Sequence, residues 1–191
     1  MASYIFSDLL SKAPASIKTN AADARNWLST NVRSVRQSRI LQGDRTRLED
    51  HISIGGMYMF VYDPKTKEKL PYYDKFPLVF PFKGAPGGFL GLNLHYLPPV
   101  ARAKLMDALW PHINNDDLRQ DRRLEITYRI LNGSSRYRHF KPCVKRYLNN
   151  HVRTRFVRIY PEEWNLAVFL PTEKFAKSSK GTVYRDSIGK I

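Results

Sequence analysis

The residues best suited to chemistry lie in a basic and aromatic stretch between Ile126 and Tyr160. This stretch contains no Asp or Glu, while nine of its side chains are basic. They are Arg129, Arg136, Arg138, Lys141, Lys145, Arg146, Arg153, Arg155 and Arg158. Arginine presents a planar set of donors that matches phosphate, and lysine presents a compact charge. Because a carboxylate beside a phosphate would weaken such contacts, the stretch predicts a surface that binds the backbone of a nucleic acid.

Aromatic residues alternate with these cations, and two of them are candidates for base stacking. Tyr137 and Phe140 stand among the basic residues, where an exposed ring could pack on a base. Tyr147, Phe156 and Tyr160 are better interpreted as core residues. Two alternatives stay open for the basic residues themselves, namely contact with an acidic protein and simple solvation. No zinc finger, basic zipper, helix-turn-helix or ribonucleoprotein motif indicates that bases are recognised.

Catalytic patterns are weak, and the sequence predicts a protein that is not an enzyme and needs no cofactor or metal. No phosphate-binding loop precedes a helix, which argues against nucleotide hydrolysis. Asp63 and Asp74 could pair with His95 to hold magnesium in a nuclease, but both carboxylates stand in ordinary turn sequences. His139 and Cys143 are four residues apart and have no third partner for a metal site.

Composition limits the class of protein. Of 191 residues, 32 are Lys or Arg and 17 are Asp or Glu, which gives a net charge of +15, and aromatic residues make up 13%. A chain this aromatic can bury a core, and its charge favours a polyanionic partner. It has no apolar run long enough for a membrane span, no secretory signal and a single cysteine, Cys143. We expect no membrane contact and no small-molecule substrate.

The N-terminal 55 residues predict a helical arm and a connector. Asn20 can cap a helix over residues 21–41, on which Ala24, Leu28, Val32 and Val35 form an apolar stripe with Trp27 beside it. Arg33, Arg36 and Arg39 lie on another face. This is either an ordinary surface helix or an arm that docks on a protein partner through Trp27 and the three arginines.

Residues 56–176 predict an α+β core domain built on a small antiparallel sheet or open barrel at about 57–96. Strands are expected at 57–62, 76–82 and 89–96, with a turn at 83–88. Because Pro77 and Pro81 cannot donate to a ladder, the second of these is expected to be an edge strand or an extended segment and not a central strand. Short helices are expected at 99–110, 142–149 and 161–170, and a strand at 124–130. Residues 152–160 fit a strand or a helix, and 177–191 predict a loosely held tail.

Six stretches of the sequence resemble a known family. They are Met57–Lys65 with Leu70–Asp74, then Gly87–Pro99, and finally Phe140–Leu148 with His151–Phe156 and Pro161–Trp164. Together they resemble the DNA end protector family of T-even-like tailed phages, over roughly residues 55–186. No catalytic motif accompanies the resemblance.

The resemblance implies a minor virion protein, assembled in the host cytoplasm, that binds duplex DNA ends without sequence specificity and shields them from host exonuclease. Other virion proteins are implied as further partners. The alternative is a structural component of the neck, of head completion or of the baseplate, which would bind other virion proteins instead of DNA.

Overall fold

The computed structural model describes residues 4–113, 129, 132, 133 and 138–190. Within these residues an α+β fold forms, as the sequence predicts. Its helices are α1 (Ile5–Lys12), α2 (Ala21–Asn31), α3 (Gln37–Gly43), α4 (Pro99–Ile113), α5 (Trp164–Phe169) and α6 (Lys180–Gly189). Its strands are β1 (Leu48–Glu49), β2 (Met57–Met59), β3 (Tyr73–Asp74), β4 (Leu78–Ala85), β5 (Gly88–Asn93), β6 (Val144–Leu148), β7 (Phe156–Ile159) and β8 (Phe175–Ala176).

The main sheet has six antiparallel strands in the order β1-β7-β2-β4-β5-β6, and β3 pairs with β8 in a separate ribbon. Both faces of the main sheet are apolar. Met57 and Met59 point into a large core shared with the helices, whereas Tyr58 and Phe60 join an aromatic cluster on the opposite face. Burial on both faces explains why the β2 region is a continuous apolar run without alternation.

Strand β4 lies inside the sheet, so the predicted edge position was wrong. It pairs with β2 on one side and with β5 on the other. Pro81 is tolerated because the register of the β4–β5 pair shifts between Pro81 and Lys83, and because β2 pairs only with Leu78 and Val79. A proline without an N–H group fits where a ladder is already interrupted.

Strand β6 forms one edge of the main sheet, and the helix expected at 142–149 was also wrong. A 3₁₀ helix covers Arg138–Cys143, and the chain then pairs with β5. A Cβ atom on Gly88 would lie 1.8 Å from the Tyr147 carbonyl oxygen, so this close approach of the two strands requires glycine. Residues 156–159 form β7, which excludes the helical alternative for that segment.

The N-terminal region packs into the main core and contains two helices where one was predicted. Asn20 caps α2 as expected, through Oδ1 to the N–H groups of Ala22 and Asp23. Val32 is extended and ends that helix, consistent with the weak helix preference of β-branched residues. The break lets Ile40 of α3 join Ala24 and Leu28 in the main core. The expectation of an arm lying partly off the body was therefore wrong.

The C-terminal segment is helical and anchored. Helix α6 starts with Ser179 as its cap and buries Val183 in the main core, which corrects the prediction of a loosely held tail. Helices α4 and α5 confirm the predictions at 99–110 and 161–170. The strand predicted at 124–130 falls almost wholly outside the described residues.

Candidate nucleic-acid interface

Six of the nine basic residues of the acid-free stretch form two groups in the structure. Lys141, Lys145 and Arg146 line a pair of adjoining cavities. Arg153 and Arg155 precede β7, and Arg158 lies within that strand. Arg129 is exposed. Arg136 lies outside the described residues, and for Arg138 only the backbone is described.

The second group has carboxylate partners from outside the stretch. Arg153 lies 3.3 Å from Asp63, Arg155 lies 2.7 Å from Asp50, and Arg158 lies 2.9 Å from Glu49. These three residues, which we call the paired arginines, therefore each have a carboxylate partner, and Asp63 is shared between Arg153 and Lys67. Although the stretch contains no Asp or Glu, the fold brings carboxylates from other parts of the chain next to it.

The first group belongs to a basic groove that runs along the edge strand β6. Two adjoining cavities of about 720 and 300 Å³ form it, sharing Tyr72, Tyr96, Lys145 and Lys190. Five cations line the two cavities: Lys65, Lys141, Lys145, Arg146 and Lys190. None of the five has an ion pair with a carboxylate among the described residues.

The carboxylate that lines the basic groove is engaged from inside. Asp74 is 4% exposed and accepts hydrogen bonds from the N–H groups of Phe76 and Lys174 and from the Asn93 amide. The two N–H groups donate to Oδ1, and the Asn93 amide donates to Oδ2, from which His95 Nδ1 lies 2.6 Å away. With its lone pairs directed at these inner partners, Asp74 leaves the five cations of the groove to an external anion.

Lys145 is the most buried cation of the basic groove. Its ammonium lies 4.0 Å from the centroid of the Tyr96 ring, a cation–π contact. Burial lowers the pKa of Lys145 to about 8, and the nearby charge of Lys190 lowers it as well. Because the neighbouring Cys143 thiol is buried and has a raised pKa, it offers no compensating negative charge at neutral pH. A phosphate bound next to Lys145 would supply that negative charge.

Two buried networks hold the walls of the groove. Arg102 is 1% exposed and donates to the carbonyls of Leu97 and Val168 at 2.8 Å and to the Tyr184 hydroxyl at 2.7 Å. It also lies 2.7 Å from Glu173. Burial raises the pKa of Glu173, but His95 and Arg102 outweigh this and lower it to about 2. Because Tyr184 belongs to α6, this network fixes the helix that Lys190 directly follows.

Lys177 holds the opposite wall. It has a φ of 65°, which is strained for a residue other than glycine, and its ammonium donates to three carbonyls of the loop before β3, at Lys67, Glu68 and Leu70. The adjoining part of that loop brings Lys65, Tyr72 and Tyr73 to the basic groove.

The aromatic residues of the groove are not the ones predicted for base stacking. Tyr72 and Tyr73 are half-buried and line the groove, and Tyr72 packs on Tyr96 with ring centroids 6.0 Å apart. Tyr137 lies outside the described residues, and Phe140 is half-buried against the main core. Sequence reasoning missed Lys65, Tyr72, Tyr73, Tyr96 and Lys190, although the cluster of tyrosines at Pro71-Tyr72-Tyr73 beside Lys65 was a usable signal.

The proposed docking residues of the arm remain on the surface only in part. Arg33 and Arg36 are exposed, and Arg39 lies 3.7 Å from Asp8 of α1. Trp27 is half-buried and packs against the main core. The interpretation of Trp27 as part of a free docking face is therefore weakened, while Arg33 and Arg36 stay available.

Other candidate sites in the described residues are less suited to binding DNA or to catalysis. A cavity of about 610 Å³ contains Arg153 and Arg155, together with the Asp50 carboxylate that pairs with Arg155. His95 and Asp74 do meet, but His95 is 0% exposed and its Nε2 is 3.2 Å from Thr172, so this pair acts as an internal brace. No group of three or more metal-ligating side chains occurs among the residues described here. Nor does that part of the chain contain a helix of the length and apolarity that crossing a bilayer requires.

Comparison with known proteins gives one match. A family model described as Phage T4 terminal DNA protecting protein matches residues 7–188. The chain belongs to this family. The match extends the resemblance found in the sequence to the N-terminal helices, in agreement with their place in the shared core. Neither the curated proteins nor the solved structures contain a match to this chain.

Proposed function

We propose that this protein binds the end of the packaged linear genome of a phage, without sequence specificity, and shields it from host exonuclease. Membership of a family of phage terminal DNA protecting proteins supports this. The observation that carries it is the basic groove, in which five cations surround tyrosine rings and the lining carboxylate Asp74 is engaged inward.

The chemistry of the basic groove fits contact with any sequence. Lysine and arginine bind phosphate oxygens, which are the same at every nucleotide. Tyr72 and Tyr73 offer ring faces, and stacking tolerates every base because each base has a π-face. A cavity of this size accommodates a ligand of small-molecule dimensions, so it suits the end of a strand rather than a continuous duplex. That dimension supports binding at an end.

Protection from exonuclease then requires occupancy and no reaction. An exonuclease must thread or grip a free terminus, and a protein seated on that terminus denies it access. In this proposal the phosphates are contacted by the five cations of the basic groove, Lys65, Lys141, Lys145, Arg146 and Lys190. Further contacts come from Arg129, Arg136 and Arg138. The paired arginines contribute less because each would first have to leave a carboxylate.

The experiment is a competition between linear and circular duplexes of equal length and sequence, in EDTA, followed by digestion with a processive duplex exonuclease. We expect the linear duplex to compete at least tenfold better and to resist digestion in proportion to the protein bound. A variant with Lys65, Lys141, Arg146 and Lys190 all changed to Gln should lose both effects. Equal competition by the circle would contradict end protection, and cutting that needs magnesium would identify a nuclease.

A structural role in the neck, head completion or baseplate is the second candidate. The exposed arginines Arg33 and Arg36, which have no ion pair within the described residues, favour a protein contact at the segment between α2 and α3. Changing both to Gln is the matched control for the basic-groove variant. It should leave DNA affinity nearly intact and reduce incorporation into virions. The reverse pattern would exchange the two assignments.

A further inference from the structure

The smaller cavity of the basic groove has a composition of its own. Its volume is about 300 Å³, and three lysines, Lys141, Lys145 and Lys190, line it with Tyr72, Tyr96 and Ser187. No carboxylate lines this cavity among the described residues. Burial raises the pKa of Tyr72, and the charge of Asp186, the residue before Ser187 on α6, raises it further.

Ser187 adds an observation independent of the charges. Its side chain is 98% buried, since the residue is 2% exposed, and its hydroxyl has no hydrogen-bond partner within the described part of the chain. A buried hydroxyl without a partner is unfavourable by about 1–3 kcal/mol, and such groups are rare in native proteins. A hydroxyl that lines a cavity beside three ammonium groups is suited to donate to an anionic oxygen.

The arrangement of the three lysines limits where that anion can lie. Lys145 is held over the Tyr96 ring, and Lys190 follows the end of α6, the same helix that presents Ser187. Lys141 enters from the 3₁₀ helix before β6. The donors therefore reach the cavity from three separate elements. Donors that converge on one small cavity suit a single compact anion better than an extended nucleic-acid strand.

We propose that this cavity binds the terminal phosphate monoester of a DNA strand, while the rest of the basic groove holds the adjoining nucleotides. The inference rests on the proposed function and adds the group that is recognised. A phosphate monoester carries a charge of about −1.5 to −2 near neutral pH, whereas each internal phosphodiester carries −1. Three ammonium groups and a hydroxyl donor complement the monoester better, and Lys65 and Arg146 remain for the diesters next to it.

The test compares linear duplexes that differ only at their ends. One has 5′-phosphates, one has 3′-phosphates and one has hydroxyl groups at every end, and affinity is measured by fluorescence anisotropy. We expect one of the two phosphorylated duplexes to bind at least tenfold tighter than the hydroxyl duplex. The duplex that binds tighter shows whether the cavity recognises the 5′ or the 3′ end of a strand. Equal affinity for all three would overturn the inference.

Two variants assign the preference to the cavity. Ser187→Ala and Lys190→Gln should each reduce the preference for phosphate at least threefold and lower affinity for the hydroxyl duplex much less. Ser187→Ala should also fold normally, because it removes a buried group that lacks a partner. Lys180→Gln is the matched control, since Lys180 is an exposed lysine of the same helix outside the cavity. If these two variants retain the full preference, the assignment to this cavity is wrong.

The outcome separates this inference from the proposed function. A protein that prefers linear over circular DNA but does not distinguish phosphate from hydroxyl ends would keep the proposed function and lose the phosphate pocket. A protein that binds linear and circular DNA equally would lose both.

Discussion

Three cations of the basic groove, Lys141, Lys145 and Arg146, come from the same acid-free stretch of sequence as the paired arginines, yet the fold places the two sets in opposite electrostatic surroundings. The paired arginines meet Asp50, Asp63 and Glu49 within 3.3 Å. In the basic groove Lys145 lies over the Tyr96 ring, and none of the five cations has an ion pair with a carboxylate among the described residues. A cation that already has a carboxylate gains little from phosphate, whereas a cluster of unmatched cations gains the full interaction. Charge density along a sequence therefore overstates the binding surface.

The largest effect expected is on DNA affinity when the basic groove is neutralised. Changing Lys65, Lys141, Arg146 and Lys190 to Gln removes four phosphate contacts, and we expect affinity at 0.1 M salt to fall about 10³-fold, with the salt slope reduced by about 3.6. Anisotropy titrations across a range of salt concentrations measure both quantities.

The matched comparison is the variant in which Arg153, Arg155 and Arg158 are all changed to Gln. It removes three charges but leaves the basic groove intact, so affinity should fall less than about fivefold. A loss as large as that of the basic-groove variant would mean that the ion pairs open on binding and that the two regions act alike.

Lys145 and Arg155 should respond in opposite ways to loss of charge. Burial holds the pKa of Lys145 near 8, below its ordinary value of 10.5, so at pH 7 the folded state carries a charge that burial disfavours. Lys145→Met should therefore stabilise the fold by about 1–3 kcal/mol while weakening DNA binding about tenfold. Arg155→Met should change the unfolding free energy by less than about 1 kcal/mol and leave DNA affinity nearly unchanged.

Chemical unfolding and anisotropy titrations on the two variants test this opposition. Since the unfolded state binds more protons than the folded state between pH 8 and 10.5, the wild-type protein should also gain stability from Lys145 as pH rises through that window. A Lys145→Met protein that is less stable than wild type at pH 7 would show that the lysine is a structural contact.

DNA affinity should depend on pH through the same residue. Lys145 is charged below about pH 8 and loses its charge above it, so affinity at 0.1 M salt should fall by up to about tenfold between pH 7 and 9. Burial raises the pKa of Tyr72, Tyr96 and Cys143, which face the ammonium and stay neutral in this range.

The charged residues that line the same two cavities as this ammonium are Lys65, Lys141, Arg146, Lys190 and the inward-engaged Asp74, and Asp186 acts on Tyr72. Lys145→Arg keeps its charge at every pH tested and should bind with a flat profile. A wild-type profile that is equally flat would remove Lys145 from the interface.

The smallest effect expected is the coupling within one arginine pair. Arg155 and Asp50 are half-exposed or more, and exposed ion pairs contribute about 0.2–1 kcal/mol. A double-mutant cycle with Arg155→Gln and Asp50→Asn should give a coupling energy in that range, decreasing with added salt. A coupling above about 2 kcal/mol would mark this pair as a structural element comparable to the buried Arg102–Glu173 contact.

Local patterns predicted much of the secondary structure, and tertiary pairing decided the rest. Asn20, Pro99 and Pro161 gave correct helix starts because caps and first turns depend on neighbouring residues alone. The segment around Val144–Leu148 failed because its pairing partner, β5, lies about fifty residues earlier in the chain. The position of Pro81 failed for a similar reason, since the register shift that admits it belongs to a pair of strands.

By itself the sequence determined an aromatic, strongly basic α+β protein with its cations concentrated in one acid-free stretch, and its motifs were enough to indicate the family. Composition and local pattern fix these properties. Only the tertiary structure decided which cations remain unmatched, because Asp50, Asp63 and Glu49 approach the paired arginines from about 90 to 109 residues away. It also brought Lys65, Lys145 and Lys190 to one groove, since electrostatic contact depends on distance in space and the sequence records only order along the chain.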